Sequence, residues 1–283
     1  MENWINPVLA RQVVDIARMA SVEILKIYHS QTFDIQLKSD NSPVTAADLA
    51  ANAVITEGLQ KLSPRLPIIS EETAEIPFSE RTTFDYFWLV DPLDGTKEFI
   101  KRNGEFTVNI ALIHRTQAIL GVVFVPITEG CYFAVKGFGS FQLVKNFEAN
   151  GWNVLKTDTE NAAQNDNFKT ICCDKFHLTD THLRIPVSRS HLSEATKTWL
   201  EQFDDPILTP KGSALKLAML AAGEFDLYPR IGLTGEWDTA AAQIIIEEAG
   251  GSLVDFDSRK PLVYNKKSLL NPDFIAFGQV LSE

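Results

Sequence analysis

The chain has 283 residues, with 26 Lys or Arg against 37 Asp or Glu, which gives a formal net charge of −11. Hydrophobic residues make up 45% and charged residues 22%, near the averages for globular proteins, so collagen-like, coiled-coil and wholly disordered chains are excluded. The acidic balance argues against a general binder of nucleic acid polymers, which needs a basic surface to release phosphate counterions. The net charge does not exclude small phosphorylated ligands, because binding them requires only local cations or a bound metal.

The sequence contains nothing typical of a membrane or secreted protein. No stretch approaches the roughly 18 uncharged apolar residues of a membrane span. The chain starts Met-Glu-Asn-Trp, without a basic region followed by an apolar one, so we expect no signal peptide. The cysteines Cys131, Cys172 and Cys173 cannot form a disulfide framework, which fits a reducing cytoplasm.

Helices open the chain and strands follow them. Apolar residues at spacings of three and four from Val13 to Ile27 predict a first helix, and a second is predicted over 45–62. Short runs rich in Val, Ile, Phe and Tyr then predict strands at 66–69, 86–90, 107–113, 119–125 and 131–135. This order predicts helices packed on a largely antiparallel sheet.

The second half alternates between the two element types. After an Asn-rich polar stretch over 146–167, strands and helices are predicted in turn, ending with a helix over 239–249 and strands at 252–256 and 274–277. Such alternation predicts a layered α/β unit. We therefore divide the chain into an α+β half (1–157), a polar excursion or insertion (158–183) and an α/β half (184–283).

The densest chemical signal is the string Trp88-Leu-Val-Asp91-Pro-Leu-Asp94-Gly-Thr96. A predicted strand ends in Asp91, and Asp94-Gly95 is a turn signal, so both carboxylates can point into one small volume. At about 4 Å they would repel by roughly 4 kcal/mol at an effective dielectric near 20, unless a cation lies between them. Mg²⁺ suits such a site because it prefers carboxylate oxygens. A single Asp-Gly pair, by contrast, is usually only a turn.

Three further acids have ordinary structural explanations as alternatives. Glu71 follows a predicted strand and could be a solvated strand end. Asp238 lies at the start of a predicted helix, where Asp is a good N-cap, although one oxygen can cap while the other meets a metal. Asp48 completes the capping box Thr45-Ala-Ala-Asp48.

Together these segments resemble the inositol monophosphatase-like, lithium-sensitive, Mg²⁺-dependent phosphatases. The likeness covers nearly the whole chain. Within that family it extends to the CysQ-type 3′(2′),5′-bisphosphate nucleotidases, through Lys-Glu-Phe-Ile-Lys-Arg after Asp-Gly-Thr, Gly212-Ser-Ala-Leu-Lys216 and Leu227-Tyr-Pro-Arg230. It implies an α/β/α/β/α layered sandwich, sugar-phosphatase-like, with the active site at the junction of a metal-binding first half and a nucleotide-binding second half.

The resemblance also implies residue roles and two or three Mg²⁺ per active site. One Mg²⁺ would be held by Glu71, Asp91 and the Leu93 carbonyl, and a second by Asp91, Asp94 and Asp238. The catalytic residues would be Asp48, Glu71 and Thr96, with Asp48 pairing with the Thr96 hydroxyl to help activate the attacking water. The implied substrate contacts are Glu71, Leu93, Asp94, Gly95, Thr96, His191, Ser213, Lys216, Arg230 and Asp238.

A bisphosphate needs a second anion site, which a chain of net charge −11 must build locally. Polar and cationic residues fall on three short segments of the second half: Ser188, Arg189, His191, Lys211, Ser213, Lys216 and Arg230. Ser213 and Lys216 are expected on one face at the start of a helix, where free N–H groups favour anions. Lys216 could instead be an ordinary solvated charge.

The expected reaction is hydrolysis of the 3′-phosphate of 3′-phosphoadenosine 5′-phosphate to AMP and phosphate. An inositol monophosphatase or sugar-bisphosphate phosphatase is the alternative, and a nucleotide-binding regulator without catalysis is a more remote one. The expected location is the cytoplasm, with weak peripheral attachment to the inner membrane left open by analogy with bacterial relatives. Both a monomer and a homodimer remain open.

Overall fold

The computed structural model describes residues 2–30, 35–37, 43–73, 76–143, 168–189 and 192–282. Their helices are α1 (Pro7–Tyr28), α2 (Ala46–Gln60), α3 (Phe78–Arg81), α4 (Thr96–Ile100), α5 (Glu194–Leu200), α6 (Leu215–Ala221) and α7 (Glu236–Glu248). The strands of the first half are β1 (Ile35–Leu37), β2 (Pro43–Thr45), β3 (Ile68–Ser70), β4 (Tyr86–Asp94), β5 (Thr107–His114), β6 (Gln117–Val125), β7 (Gly130–Val135) and β8 (Gly139–Leu143). The later strands are β9 (Phe168–Ile171), β10 (Lys175–Phe176), β11 (Arg184–Ser188), β12 (Ile207–Lys211), β13 (Leu227–Arg230), β14 (Ser252–Asp255), β15 (Phe274–Phe277) and β16 (Gln279–Val280).

A seven-stranded sheet in the order β3-β4-β5-β6-β7-β8-β9 forms the centre of the molecule. Only β3 and β4 pair in parallel; the other neighbours are antiparallel. Along β5, Ile110 and Leu112 pack with α1 and α2, whereas Ala111 and Ile113 pack with α6 and α7. Alternate side chains of a strand point to opposite faces, so helices on both faces explain why residues 110–113 of this strand are all apolar. The prediction of a largely antiparallel sheet is confirmed.

Helix α7 lies close to the sheet because β6 carries a glycine. A Cβ added at Gly121 would collide with the carbonyl oxygen of Ala241. The helix begins at Glu236, three residues before the predicted start, because its first turn is already folded at Glu236 and Asp238. The close approach places the first turn of α7 against the end of β4 that carries the acidic string.

Two smaller sheets and α5 complete the layers. Strands β13-β15-β14 form an antiparallel sheet, and β11 pairs with β12 in parallel. Helix α5 packs through Leu200 on Ile185 and Leu227 in a separate small core. The order is therefore α1/α2, large sheet, α6/α7, smaller sheets and α5, which confirms the α/β/α/β/α class.

The predicted polar excursion is described only from residue 168 onward. Residues Phe168–Ile171 form β9, the last strand of the large sheet. Residues 146–167 lie outside the described residues. Cys131 and Cys173 are buried and Cys172 is exposed, all as free thiols. Across the described ranges, every helix is too short or too polar to span a bilayer.

Candidate active site

Three carboxylates from distant parts of the chain meet at one end of the large sheet. Glu71 directly follows β3, and its N–H donates to the Val90 carbonyl at 3.1 Å, which continues the parallel register and places it beside Asp91. Asp238 comes from the first turn of α7. Oxygens of Glu71, Asp91 and Asp238 lie within 4.8 Å of one another.

A β-bulge brings Asp94 to the same side as Asp91. The prediction that the strand ends at Asp91 is wrong, because β4 continues to Asp94 with a register shift: Asp91 pairs with Asn109 and Asp94 with Thr107. On a regular strand, residues three apart face opposite sides. The extra residue in β4 re-aims the chain, and both aspartates line one cavity.

Asp94 is held by groups that the sequence does not predict as functional. Its Oδ2 accepts hydrogen bonds from the Ala214 N–H, from Asn109 Nδ2 at 3.4 Å and from Thr107 Oγ1 at 3.5 Å. Burial raises the pKa of Asp94 to about 6, although the Lys216 charge opposes this rise. The available signal for Thr107 and Asn109 is their polarity, two residues apart, in an otherwise apolar strand.

The turn after Asp94 positions Thr96. Gly95 has φ +93°, a left-handed conformation that favours glycine, and it starts α4, a helix the sequence does not predict. Thr96 Oγ1 lies 3.3 Å from Asp48 Oδ1 and 3.4 Å from the Leu93 carbonyl. The hydroxyl therefore sits between a carboxylate and the backbone of the acidic string.

Asp48 caps α2 and also contacts Thr96. Its Oδ2 accepts the Thr45 N–H at 2.8 Å and the Thr45 hydroxyl at 2.6 Å, which forms the capping box of α2. Its other oxygen, Oδ1, faces Thr96. One carboxylate thus caps a helix and reaches the site.

Asp238 is not the N-cap of α7. Gly235 holds that position, and Asp238, three residues on, accepts the Gly235 N–H through Oδ2 at 2.8 Å. Burial, followed by neighbouring carboxylates, raises the pKa of Asp238 and of Asp91 well above the usual range of an aspartate. Both carboxylates therefore favour a proton or a cation close by.

Lys216 is buried and not a solvated charge. Its Nζ donates to the Ser213 carbonyl at 2.7 Å and to the Lys211 carbonyl at 3.4 Å, and burial lowers its pKa to about 8. The expectation that Ser213 shares a helix face with Lys216 is wrong. Ser213, with φ +49°, precedes α6; its Oγ accepts the Leu215 N–H at 3.3 Å and its carbonyl accepts from Lys216.

The other predicted cations divide into two groups. Arg189 and Lys211 pair with the Glu105 carboxylate, at 2.9 Å and 3.5 Å. Arg230 instead donates through Nη2 to the Leu233 carbonyl at 3.1 Å, and its buried Nε has no hydrogen-bond partner among the described residues. His191 lies outside the described residues.

A cavity of about 280 Å³ brings these groups together. Its lining includes the acidic wall, defined as Glu71, Asp91, Asp94 and Asp238, and the cationic wall, defined as Lys216 and Arg230. The lining also includes the predicted site residues Leu93, Gly95, Thr96 and Ser213, together with Ser188. Asp48 reaches this site through Thr96.

Comparisons with known proteins identify the family of this chain. Residues 7–279 match the inositol monophosphatase family. The chain belongs to that family. The 3′(2′),5′-bisphosphate nucleotidase CysQ of Escherichia coli strain K12 is 40% identical over 268 residues, covering 93% of this chain and 97% of that protein. CysQ of Aggregatibacter actinomycetemcomitans is 36% identical over 271 residues, 94% of this chain and 91% of that protein. The crystal structure of CysQ from Bacteroides thetaiotaomicron has a TM-score of 0.82 at 36% identity, covering 96% of this chain and 97% of that one.

The acidic wall of this inositol monophosphatase family member fits a divalent metal. Its donors are all hard oxygen atoms, which Mg²⁺ prefers over nitrogen or sulfur. The carboxylates of Glu71, Asp91 and Asp238 are close enough to share an ion. Burial, and then the neighbouring carboxylates, raise the pKa values of Asp91 and Asp238. A bound divalent cation would offset this concentration of negative charge.

Proposed function

We propose that the chain hydrolyses the 3′-phosphate of 3′-phosphoadenosine 5′-phosphate to give AMP and phosphate, with Mg²⁺ as cofactor. Its family and its relatives place it among the 3′(2′),5′-bisphosphate nucleotidases, which are phosphoric monoester hydrolases. The observation that carries the proposal is one cavity lined by both the acidic wall and the cationic wall. Such a cavity suits a metal-assisted reaction on a ligand that also carries a second anion.

The metal-binding part of the proposal assigns the acidic wall. Glu71, Asp91 and the Leu93 carbonyl would hold one Mg²⁺, and Asp91, Asp94 and Asp238 a second. Bound Mg²⁺ lowers the pKa of water, polarises the phosphoryl group and stabilises the leaving oxygen. Two Mg²⁺ balance the four carboxylate charges, which leaves Lys216 and Arg230 available to a second phosphate.

Thr96 and Asp48 would orient the attacking water. With Thr96 Oγ1 within 3.3 Å of Asp48 Oδ1, the hydroxyl donates to the carboxylate and turns its lone pairs toward the cavity. Those lone pairs can accept a hydrogen bond from a water and so aim its oxygen at phosphorus; a proton that leaves the water passes to the Thr96 hydroxyl as the hydroxyl proton passes to Asp48. Asp48 is 2% exposed and fixed by Thr45 through its other oxygen, so the hydroxyl it holds is well oriented for general-base assistance.

The second phosphate would lie at the cationic wall. Arg230 keeps a buried Nε without a partner in the described part of the chain, and buried polar groups are costly unless they are hydrogen-bonded. Lys216 is buried at 6% exposure, where a nearby anion interacts more strongly than in water. A second ligand phosphate would accept from the Arg230 Nε and lie close to the buried Lys216 charge. This supports a bisphosphate substrate over a monophosphate.

Phosphate release with Mg²⁺ tests the proposal on three substrates: 3′-phosphoadenosine 5′-phosphate, inositol 1-phosphate and fructose 1,6-bisphosphate. We expect the adenosine bisphosphate to have the highest kcat/KM, to yield AMP, and to require Mg²⁺. A higher kcat/KM for either other substrate would refute the specificity. If Asp94→Asn left turnover unchanged, the metal mechanism would be wrong, and a binding protein without catalysis would show no turnover at all.

A further inference from the structure

Arg81, the last residue of α3, is completely buried, at 0% exposure. Its guanidinium donates to the carbonyl oxygens of Lys266 at 3.1 Å and Lys267 at 3.3 Å. It also donates to Asn265 Oδ1 at 2.9 Å, and Asn265 Nδ2 donates back to the Arg81 carbonyl at 2.8 Å. A buried charge is costly unless it is hydrogen-bonded. These contacts therefore hold residues 265–267, here called the 265–267 loop, firmly against α3.

Glu236 holds the same loop from the side of α7. Its carboxylate accepts the Asn265 N–H at 2.6 Å and the Lys266 N–H at 3.1 Å, and Lys266 Nζ donates to it at 2.6 Å. Glu236 is 0% exposed and is the first residue of α7. Its own N–H, one of those that a helix start leaves free, donates to the Leu269 carbonyl at 2.8 Å. The 265–267 loop thus connects α3 to the first turn of α7.

That first turn also carries a member of the acidic wall. Asp238 is two residues after Glu236, and its carboxylate lies within 4.8 Å of those of Glu71 and Asp91. Like charges at such a separation repel one another. Until a cation binds, only the fold opposes this repulsion. The contacts that fix the start of α7 therefore also fix the distance between Asp238 and the other two carboxylates.

We propose that Glu236, Asn265 and Arg81 are positioning residues for the metal site, because they fix the turn of α7 that carries Asp238. All three belong to the described part of the chain and lie outside the cavity lining, so they act through the groups that they hold. Fixing a ligand before the ion binds removes an ordering cost from binding. This inference rests on the metal-binding part of the proposed function.

Binding of Mn²⁺ without substrate, measured from the electron paramagnetic resonance of the free ion, tests the inference. Mn²⁺ takes the same kinds of oxygen ligand as Mg²⁺. We expect Glu236→Gln to raise the Kd for Mn²⁺ about tenfold, as when a residue that supports metal ligands is changed. The reason is that the glutamine amide turns an NH₂ group toward an N–H donor.

Two further readouts of Glu236→Gln separate positioning from folding. At saturating Mg²⁺, kcat should return to within about twofold of the wild type, because the metal ligands themselves are intact. A residue that only supported folding would lower the amount of Mn²⁺ bound per chain and leave the Kd unchanged. That second result would overturn the inference.

Glu248→Gln is the matched control. Glu248 is the last residue of the same helix, and its two carboxylate oxygens accept the N–H groups of Gly137 at 2.9 Å and Gly139 at 3.0 Å. It ties α7 to a distant turn as Glu236 does, but at the opposite end from Asp238. Its Kd for Mn²⁺ should therefore equal that of the wild type. A tenfold rise in both variants, or in neither, overturns the inference.

Asn265→Gly tests the link to Arg81 and leaves α7 unchanged. Asn265 has φ +61°, which glycine adopts readily, so the change removes the amide and keeps the backbone. We expect the Kd to rise about threefold, as for the loss of a modest hydrogen bond, because the carbonyls of Lys266 and Lys267 still bind Arg81. In the Glu236→Gln background no further rise is expected, since the two contacts act in series.

An unchanged Kd in Asn265→Gly overturns the inference, and this variant decides the question if Glu236→Gln does not fold. The wild type tests the proposed function separately. A wild type that binds no Mn²⁺ refutes the metal site of the proposed function itself. One that binds Mn²⁺ but releases no phosphate refutes the proposed hydrolysis and leaves this inference standing.

Discussion

The two walls of the cavity are built in opposite ways. In the acidic wall, Asp91 and Asp238 lie against other carboxylates, and burial and mutual repulsion raise their pKa values. In the cationic wall, the hydrogen bonds of Lys216 and Arg230 go to carbonyl oxygens, and the Lys216 ammonium also lies over the Tyr228 ring and interacts with the charge of Asp94. Each wall is fixed in place by the fold but left electrostatically incomplete.

A nearby ion cluster shows what a completed arrangement looks like. Glu105 accepts both Arg189 and Lys211 and also the Gly212 N–H at 2.8 Å. These cations have the same residue types as those of the cationic wall, yet each already has the Glu105 carboxylate as a partner within the protein. The comparison indicates that charged groups with incomplete charge pairing bind ligands, whereas fully paired ones are structural. Four measurements test this distinction.

The largest effect is expected from Asp91→Asn. Asp91 would bridge both metal sites, so kcat/KM should fall by roughly 1000-fold or more, about 4 kcal/mol of transition-state stabilisation. The metal-free variant should unfold at a higher temperature than the wild type, because a buried carboxylate among like charges is removed. Phosphate release and thermal unfolding in a chelator measure the two effects.

Asp85→Asn is the matched control for Asp91→Asn. Asp85 lies at the start of the same strand but is exposed and paired with Arg115 at 2.9 Å. Its replacement should leave activity within about twofold and should not raise the unfolding temperature, since surface substitutions usually matter little. Full activity in Asp91→Asn would remove the acidic wall from the mechanism.

The second effect is on stability as a function of pH and Mg²⁺. With the pKa of Asp94 raised to about 6, the folded metal-free protein holds more protons than the unfolded chain. The contribution of Asp94 to stability should therefore be fully present below the unfolded pKa of about 3.9 and be lost as the pH rises through about 6. Saturating Mg²⁺ should remove this loss and add about 2.7 kcal/mol at a hundred times its Kd.

Thermal unfolding between pH 4.5 and 7.5, with chelator or with Mg²⁺, measures that dependence. Asp94→Asn should flatten the metal-free curve, because the titrating carboxylate is gone. A metal-free wild type that becomes more stable between pH 5 and 7, relative to this variant, would contradict the description of the acidic wall.

The third effect is expected from Lys216→Met. The KM for the adenosine bisphosphate should rise by about 10- to 100-fold, the range for one hydrogen bond to a charged group. Burial raises the pKa of Asp94 while the Lys216 charge lowers it, so without Lys216 the acid limb of the pH profile should move to higher pH. Steady-state kinetics across pH measure both, and Lys197→Met, which removes an exposed ion pair, should change neither.

The smallest effect is expected from Glu105→Gln. Losing an ion cluster that is partly exposed to solvent should cost about 1 kcal/mol of unfolding free energy. Chemical denaturation measures it, with Glu194→Gln, an exposed partner of Lys197, as the near-neutral control. A fall in kcat/KM as large as that of Lys216→Met would show that Glu105 belongs to the binding groups after all.

Much of the fold could be predicted from local pattern. Apolar spacing predicted α1, because a helix that packs on a sheet must bury one face, and Val13, Ala17, Ala20 and Ile24 are indeed buried. The strands from β4 to β7 were found from their apolar runs. Helix α4 was not, because its five residues are too few to show a period.

The candidate site was partly predictable for a different reason. Asp91, Asp94 and Gly95 stand in one unusual string, so their residue types and the family resemblance were enough to single them out. The contacts of Thr107, Asn109 and Tyr228 could not be predicted in the same way, because each is made to a residue 12 to 15 positions away that only the fold brings close. The sequence pattern predicts the start of α7 three residues too late, because its N-cap, Gly235, has no capping side chain that would mark the helix start.

The amino-acid sequence alone identifies the residues with the required chemistry, namely acids that bind hard cations and a few cations in an acidic chain. It also predicts the buried strands that carry the acids. Which of those residues lie close enough to share one site depends on the tertiary structure. A bulge in β4 turned Asp94 to the side of Asp91, and Gly121 let α7 bring Asp238 within reach. The physical reason is that charge and hydrogen-bonding capacity belong to a residue, whereas pairing depends on distances that packing alone sets.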